Sequence, residues 1–237
     1  MCFMNVEDAK KKAAYQAVND YVRDNMILGL GSGSTVVFAA QYLAERIRKE
    51  NLHVKCVSTS FQSYQLCVEL GIPLTFLDVN PILDVDIDGA DEIDAQLNLI
   101  KGGGGCHVQE KIVASCAKKL VIIADYRKKS QKLGQVWKKG VPVEVIPLAY
   151  VPVMKKLAAL GGKPTLRMAQ AKAGPVVSDN GNFIIDVDFG EIQDPKAINL
   201  QIKIIPGVVE TGLFIEMADR AYIGEQDGKV TIVDRYK

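Results

Sequence analysis

Apolar positions along the 237-residue chain recur with helical and strand periods that alternate through its first half. Residues 6–23 gather Ala13, Ala14, Ala17, Val18 and Tyr21 on one face, which predicts a helix. Residues 26–30 form a short apolar run, read as a strand, and residues 36–49 read as the next helix; between them lies a glycine-rich turn. Residues 53–57 predict a second strand, and Ser58, Thr59 and Ser60 offer a cap for a helix over 61–70. Residues 73–77 and 82–87 read as strands and 108–119 as a helix. Residues 120–124 are nearly all apolar, as in a parallel strand covered on both faces. Strands alternating with helices predict an α/β fold, with a doubly wound, Rossmann-like, mostly parallel sheet.

The pattern changes after about residue 132. A strand over 143–146 is followed by a helix over 150–160 that Gly161 and Gly162 stop. Strands over 163–168 and 183–189 flank a turn at 178–182, and a helix over 196–205 precedes a strand over 208–214. The order βαββαβ is the ferredoxin-like plan of a smaller α+β domain. Strands over 220–223 and 230–233 then return to the first domain. The expected division is residues 1–134 plus 218–237 against residues 135–217, with no internal repeat and no low-complexity segment.

Composition narrows the function classes. The chain is 48% hydrophobic and 24% charged, ordinary for a soluble globular protein. A net charge of +1 supplies no field for nucleic acid or an anionic membrane. No apolar run approaches the ~20 residues of a membrane span, and the first twelve residues lack the apolar core of a secretory signal. Cys2, Cys56, Cys67, Cys106 and Cys116 are odd in number and lack CxxC spacing, which points to a reducing, cytoplasmic setting. With His53 and His107 the sole imidazoles, a zinc site is not expected.

Ligands of doubly wound sheets bind beyond the carboxyl ends of the strands, and three turns fall there: residues 31–35, 88–92 and 125–128. The first, Gly31-Ser32-Gly33-Ser34-Thr35, departs from the dinucleotide pattern G-x-G-x-x-G and lacks the P-loop lysine. Its hydroxyls and bare amides suit a sugar phosphate. The second is Asp88-Gly89-Ala90-Asp91-Glu92. The run from Asp84 mimics half an EF-hand, but Ala95 stands at the twelfth position, so Asp84 and Asp86 are read as a solvated strand face.

Lys101 directly precedes Gly102, Gly103, Gly104 and Gly105, and Glu110 follows in the first turn of a helix. A glycine run before a helix presents backbone N–H groups to an anion or a developing oxyanion. Four glycines cost backbone entropy, so a purely structural loop gains little from them. A lysine beside them holds negative charge and a glutamate just beyond moves a proton, a set suited to proton abstraction next to a carbonyl. Cys106 and His107 rank below Glu110, because nothing supplies the orienting group a triad needs. His53, Trp137, Cys56, Cys67 and Cys116 are read as packing residues, and Arg127-Lys128-Lys129 as a turn from which one cation reaches a substrate. Rival readings are a sugar-phosphate-sensing module, which needs no base, another sugar-phosphate isomerase or deaminase, and an acyl-CoA transferase with a nucleophilic glutamate.

Taken together, residues 29–35, 88–93, 101–104 with Glu110-Lys111, 142–147 (Pro-Val-Glu-Val-Ile-Pro) and 205–209 (Ile-Pro-Gly-Val-Val) resemble the ribose-5-phosphate isomerase A family, in family order and over nearly the whole chain. The resemblance implies interconversion of ribose 5-phosphate and ribulose 5-phosphate without a metal or organic cofactor. It implies Glu110 as proton acceptor, with Lys101 and Asp88 in catalysis. It implies substrate binding by Ser32, Gly33, Ser34, Thr35, Asp88, Gly89, Ala90, Asp91, Lys101, Gly102, Gly103, Gly104, Lys128 and a first-helix lysine, Lys11. It also implies a homodimer or homotetramer, for which the apolar βαββαβ domain offers an interface. Two departures stand out: Ser32 replaces a common threonine, and Gly-Cys-His-Val-Gln at 105–109 replaces an alanine-rich stretch.

Overall fold

The computed structural model describes residues 5–235. The first elements are α1 (Val6–Tyr21), β1 (Ile27–Leu30), α2 (Ser34–Glu50), β2 (Lys55–Ser58), α3 (Phe61–Leu70) and β3 (Val85–Asp88). Two-residue strands β4 (Glu92–Ile93) and β5 (Leu99–Ile100) follow, then α4 (His107–Cys116) and β6 (Leu120–Asp125). Next come β7 (Val141–Val145), α5 (Tyr150–Ala159), β8 (Lys163–Leu166), β9 (Phe183–Asp188), α6 (Pro195–Lys203) and β10 (Val208–Thr211). The chain closes with β11 (Leu213–Phe214), β12 (Arg220–Gly224) and β13 (Val230–Asp234).

Local chemistry sets several boundaries. Asn5 caps α1 by accepting the Asp8 N–H at 2.8 Å. Ser60 and Ser63 form a reciprocal capping box on α3, and left-handed Gly71 ends it, so the helix spans the predicted residues 61–70.

Two compact units result. One comprises residues up to Ala90, Gln109–Arg127 and the chain from Met217; the other comprises Asp91–Val108 and Lys128–Glu216. Residues 91–108 and 128–134 thus fall with the second unit, whereas the sequence reading grouped them with the first.

The first unit holds a six-stranded sheet of order β13-β12-β6-β3-β1-β2, parallel except for the β12–β13 hairpin. Chain order reverses between β1 and β3, which makes their carboxyl ends the switch point of a doubly wound sheet. On one face Ala13, Ala14 and Ala17 of α1 and Val36, Ala39 and Leu43 of α2 pack against Leu28, Ile87, Val121 and Ile123. On the other, Val113 of α4 packs with Val57 and Leu83.

The second unit holds a four-stranded antiparallel sheet, β10-β7-β9-β8, with α5 and α6 on one face over Val143, Val145, Ile185 and Val187. This is the expected ferredoxin-like βαββαβ arrangement. A three-stranded sheet, β11-β5-β4, completes the unit.

The run expected as a strand over 73–77 makes a single bridge, Cys56 to Leu74, before turning. The run over 208–214 divides at Gly212 between two sheets, because a Cβ there would lie 2.2 Å from the Lys101 carbonyl oxygen. Asp86, expected on a solvated face, is fully buried. It lies against Gly29, its register partner on β1, where any Cβ would come within 2.5 Å of the carboxylate.

Candidate active site

In the first unit β1 leads into the turn at residues 31–35. The Gly31 N–H donates to the Ile87 carbonyl at 3.0 Å, and the Ser32 N–H donates to Asp88 Oδ1 at 3.0 Å. The same oxygen accepts the Gly89 N–H at 2.7 Å. Asp88 therefore orders both turns at the switch point, and it is fully buried. The Ser32 hydroxyl donates to Ser60 Oγ at 2.6 Å and lies 2.9 Å from Thr59 Oγ1, so it braces the turn against the start of α3. The Gly33 N–H donates to Gln62 Oε1 at 2.9 Å.

Gly33 is the N-cap of α2 and supplies no side-chain cap. A 17-residue helix whose first turn, Ser34 and Thr35, is capped by no side chain is a ready anion site. Beside it, Lys10 Nζ donates to Ser34 Oγ at 3.0 Å and to Glu7 Oε1 at 2.8 Å, with only 8% of the residue exposed.

Lys11, the first-helix lysine that the resemblance implies, takes a different direction from Lys10. It extends over the Tyr15 ring, 5.4 Å from the centroid, and lines an open surface groove with Asp8, Lys12 and Gly228. The cause is helical phase: Lys10 falls in the buried stripe with Ala13, Ala14 and Ala17, and Lys11 is turned ~100° from it. Glu110, also in this unit, sits in the first turn of α4 and is 5% exposed.

In the second unit Lys101 leaves β5 with 2% of its surface exposed. Its N–H donates to the Gly212 carbonyl at 2.9 Å, and Nζ lies 5.4 Å from the Phe214 ring centroid. The glycines after it close a tight turn in which the Gly105 N–H donates to the Gly102 carbonyl at 2.9 Å. Gly102 has φ of +99°, and a Cβ on it would meet His107 Nδ1 at 2.7 Å. His107 is fully buried under the turn, with Nε2 3.3 Å from the Glu210 carbonyl oxygen. That explains its role at a position where the resemblance left one open: it is a platform for Gly102.

Asp91 accepts the Gly103 N–H at 2.6 Å. Burial pushes its carboxyl above the usual range, opposed by that N–H and by Lys101, Lys128 and Arg167. A Cβ on Gly103 would strike Asp91 Oδ1 at 2.7 Å and the Trp137 ring at 2.8 Å. Lys128 Nζ lies 5.5 Å from the centroid of that ring.

Glu92 holds Trp137 in place. It is fully buried and accepts four backbone N–H groups, from Gly134, Gln135, Val136 and Trp137, at 2.9–3.1 Å. The sequence reading assigned Glu92 no function; the four-amide grip on a distant segment is invisible along the chain. The contacts of Lys10 with Ser34 and of Arg167 with Gly102 were not foreseen either, although the alanine stripe of α1 marks Lys10 as buried.

The structural residues behave as packing groups. Burial holds the Cys56 thiol well above its ordinary value and pushes Cys67 up to about 11. The four described cysteines are all free thiols, while Cys2 lies outside the described residues. Among the described residues no group of three or more His, Cys, Asp or Glu is placed to hold a metal, and no helix is long and apolar enough to cross a membrane.

Comparison with known proteins agrees with this chemistry. A family model described as ribose 5-phosphate isomerase A (phosphoriboisomerase A) matches residues 55–228. The ribose-5-phosphate isomerase of Homo sapiens is 55% identical over 230 residues, which are 97% of this chain and 74% of that protein. That of Dictyostelium discoideum is 56% identical over 229 residues, 95% of this chain and 97% of that protein. Among solved structures, ribose 5-phosphate isomerase A from Methanocaldococcus jannaschii gives a TM-score of 0.91 at 44% identity, covering 96% of this chain and 99% of that one. A D-ribose-5-phosphate isomerase in complex with phospho-erythronic acid gives 0.93 at 40% identity, covering 98% and 100%. The chain belongs to the ribose 5-phosphate isomerase A family.

Proposed function

We propose that this chain interconverts D-ribose 5-phosphate and D-ribulose 5-phosphate through a cis-enediolate, in the non-oxidative branch of the pentose phosphate pathway. The observation that carries the reading is the occurrence, in a member of this family, of a buried carboxylate at the start of α4 and a buried lysine before the glycine turn. The phosphate is assigned to the open start of α2, where the Ser34 and Thr35 amides and hydroxyls meet it and Lys10 adds charge. Asp88 and Asp91 take sugar hydroxyls, and Asp88 assists opening of the furanose ring. Gly33, Gly89, Ala90, Gly102, Gly103, Gly104 and Lys128 are taken as further substrate contacts on the strength of the family likeness. Ser32 acts through shape, since its hydroxyl is already shared with Thr59 and Ser60.

In the step itself Glu110 removes the C2 proton. The C–H electrons form the C1–C2 double bond, and the carbonyl π electrons move onto O1. Glu110 then delivers the proton to C1 as the C1–C2 π electrons take it up, while the O2 proton passes to O1 and the C2 carbonyl forms. Lys101 and glycine N–H groups hold the charge on oxygen; one such donor is worth about 2.7–4 kcal/mol in other enzymes. Phospho-erythronic acid, the ligand of the related structure, carries a carboxylate where the enediolate would carry its two oxygens, which supports this intermediate. A cytoplasmic homodimer or homotetramer belongs to the same reading. Free cysteines support the compartment, and the exposed Leu148, Leu200 and Ile204 of the second unit support self-association.

The direct test is conversion of ribose 5-phosphate in tritiated water, with and without EDTA. Turnover, incorporation of tritium and indifference to EDTA are expected. A chain that leaves ribose 5-phosphate unchanged removes the proposal, and activity lost to EDTA and restored by metal would move the chemistry to the carboxylates of residues 84–92.

The phosphate assignment separates two adjacent lysines. Lys10→Met should raise KM for ribose 5-phosphate by roughly 10- to 100-fold, the size of a lost charge-assisted hydrogen bond, with a smaller change in kcat. Lys11→Met should leave both within about two-fold, since exposed charges contribute little. Equal effects of the two replacements would contradict the placement of Lys10.

A further inference from the structure

Arg167 follows β8 and turns its guanidinium toward the glycine turn. Nε and Nη2 donate to the two oxygens of Asp186 at 2.8 and 2.5 Å, a bidentate grip in which both side chains are largely buried, at 16% and 18% exposure. The remaining terminal nitrogen, Nη1, donates to the Gly102 carbonyl at 2.9 Å and the Gly103 carbonyl at 3.2 Å. One side chain therefore fixes two successive peptide planes.

A trans peptide directs its C=O and the next residue's N–H to opposite sides. With the Gly102 carbonyl turned to Arg167, the Gly103 N–H points the other way, and it meets Asp91 at 2.6 Å. With the Gly103 carbonyl also turned to Arg167, the Gly104 N–H points away from the guanidinium. Gly104 is exposed, a Cβ on it would meet nothing within 4 Å, and its N–H has no acceptor among the described residues. The turn is built of residues that hold no conformation by themselves; Gly102 and Gly105 both have positive φ. Something outside it must select one set of peptide orientations.

We propose that Arg167, gripped by Asp186, is the positioning residue that aims the Gly104 N–H as a donor to the oxyanion of the enediolate. This rests on the isomerase reading above and narrows its glycine donors to a named amide. It also explains why an arginine is used. A planar fork can hold a carboxylate and two carbonyls at once, whereas an ammonium is a point charge that cannot keep that geometry.

The test compares Arg167→Ala, Arg167→Lys and Asp186→Asn with the wild-type enzyme on ribose 5-phosphate. Arg167→Ala should lose roughly 10²-fold in kcat, the scale of one preorganised oxyanion donor, with KM within about three-fold, because the donor acts on the transition state. Guanidinium chloride at non-denaturing millimolar concentrations should restore part of that kcat, and methylammonium should not. Arg167→Lys should stay near the alanine variant, and Asp186→Asn should fall between it and wild type. An Arg167→Ala enzyme with wild-type kcat, or one whose loss guanidinium leaves untouched, overturns the inference. The wild-type control keeps the two ideas apart. Failure of the unaltered chain to convert ribose 5-phosphate removes the reaction, while normal wild-type turnover with an indifferent Arg167→Ala removes only the positioning role.

Discussion

Replacing Glu110 by glutamine is expected to lower kcat for ribose 5-phosphate by about 10³-fold, within the range a positioned general base supplies, and to leave KM within a few-fold. Glutamine keeps the size and one oxygen of the side chain, so the 5%-exposed pocket at the start of α4 stays filled. What disappears is basicity. Loss of the charge also removes a first-turn interaction with the helix dipole, worth about 0.3–1 kcal/mol, too little to unfold a domain. Exchange of the C2 hydrogen with solvent should fall in step with kcat, because the same transfer limits both. Glu110→Asp should lie between the two, since it retains a base but withdraws it by about 1 Å, a displacement that costs on the order of 10²-fold. Turnover close to wild type in the glutamine variant would take the base away from Glu110 and return attention to His107. The structure places His107 as the support of Gly102, so His107→Leu should act on folding more than on proton exchange.

How much of this was legible along the chain depends on how local each cause is. Helix α3 was readable to the residue because its start is a serine capping box and its stop a glycine, both encoded within twelve residues. The doubly wound order and the βαββαβ unit followed from alternation alone. Strands β4 and β5 have two residues each, too few for any period to show. The run at 73–77 is apolar enough for a strand, yet it sits at the sheet edge beside β2, and a turn at Phe76–Val79 ends it after one bridge. Gly212 was the missed signal in 208–214, a glycine inside a strand pattern where another backbone comes close.

The site divides in the same way. Asp88, Asp91, Lys101 and Glu110 announce themselves because they crowd into one short stretch of sequence. Lys10 is the first of three consecutive lysines, and the alanine stripe of α1 picks it out as the buried one once the helix phase is applied. Asp86 was misread because its alternation fits a solvated face, but Gly29 on the neighbouring strand leaves room for a buried carboxylate. Glu92 and Arg167 act on partners about 42 to 65 residues away, and no pattern within either segment encodes that.

Gly31→Ala tests the switch point of the sheet most severely. The new methyl group would lie 1.9 Å from Asp88 Oδ1 and 2.6 Å from the Asp88 Cα. A flexible side chain can swing away from such a contact; a backbone atom cannot. Asp88 belongs to β3, paired on one side to β1 and on the other to β6, so neither strand can yield without breaking its ladder. The bonds at stake are also the ones that shape the site: Gly31 N–H to Ile87, and Ser32 N–H to Asp88. Overpacking of this kind costs about 1–3 kcal/mol and sometimes more, which for a chain of this length lowers Tm by roughly 2–4 °C per kcal/mol. The loss in kcat/KM should be larger, on the order of 10²-fold, because both the α2 start and Asp88 are displaced together. Gly89→Ala is the matched control for stability, since its methyl would approach nothing closer than 3.6 Å, and its Tm should change by less than about 2 °C. If calorimetry finds Gly31→Ala as stable as Gly89→Ala, and its kcat/KM is unchanged, then the turn and β3 are not pressed together as described. The assignment of phosphate and sugar hydroxyls to their shared edge would lose its support.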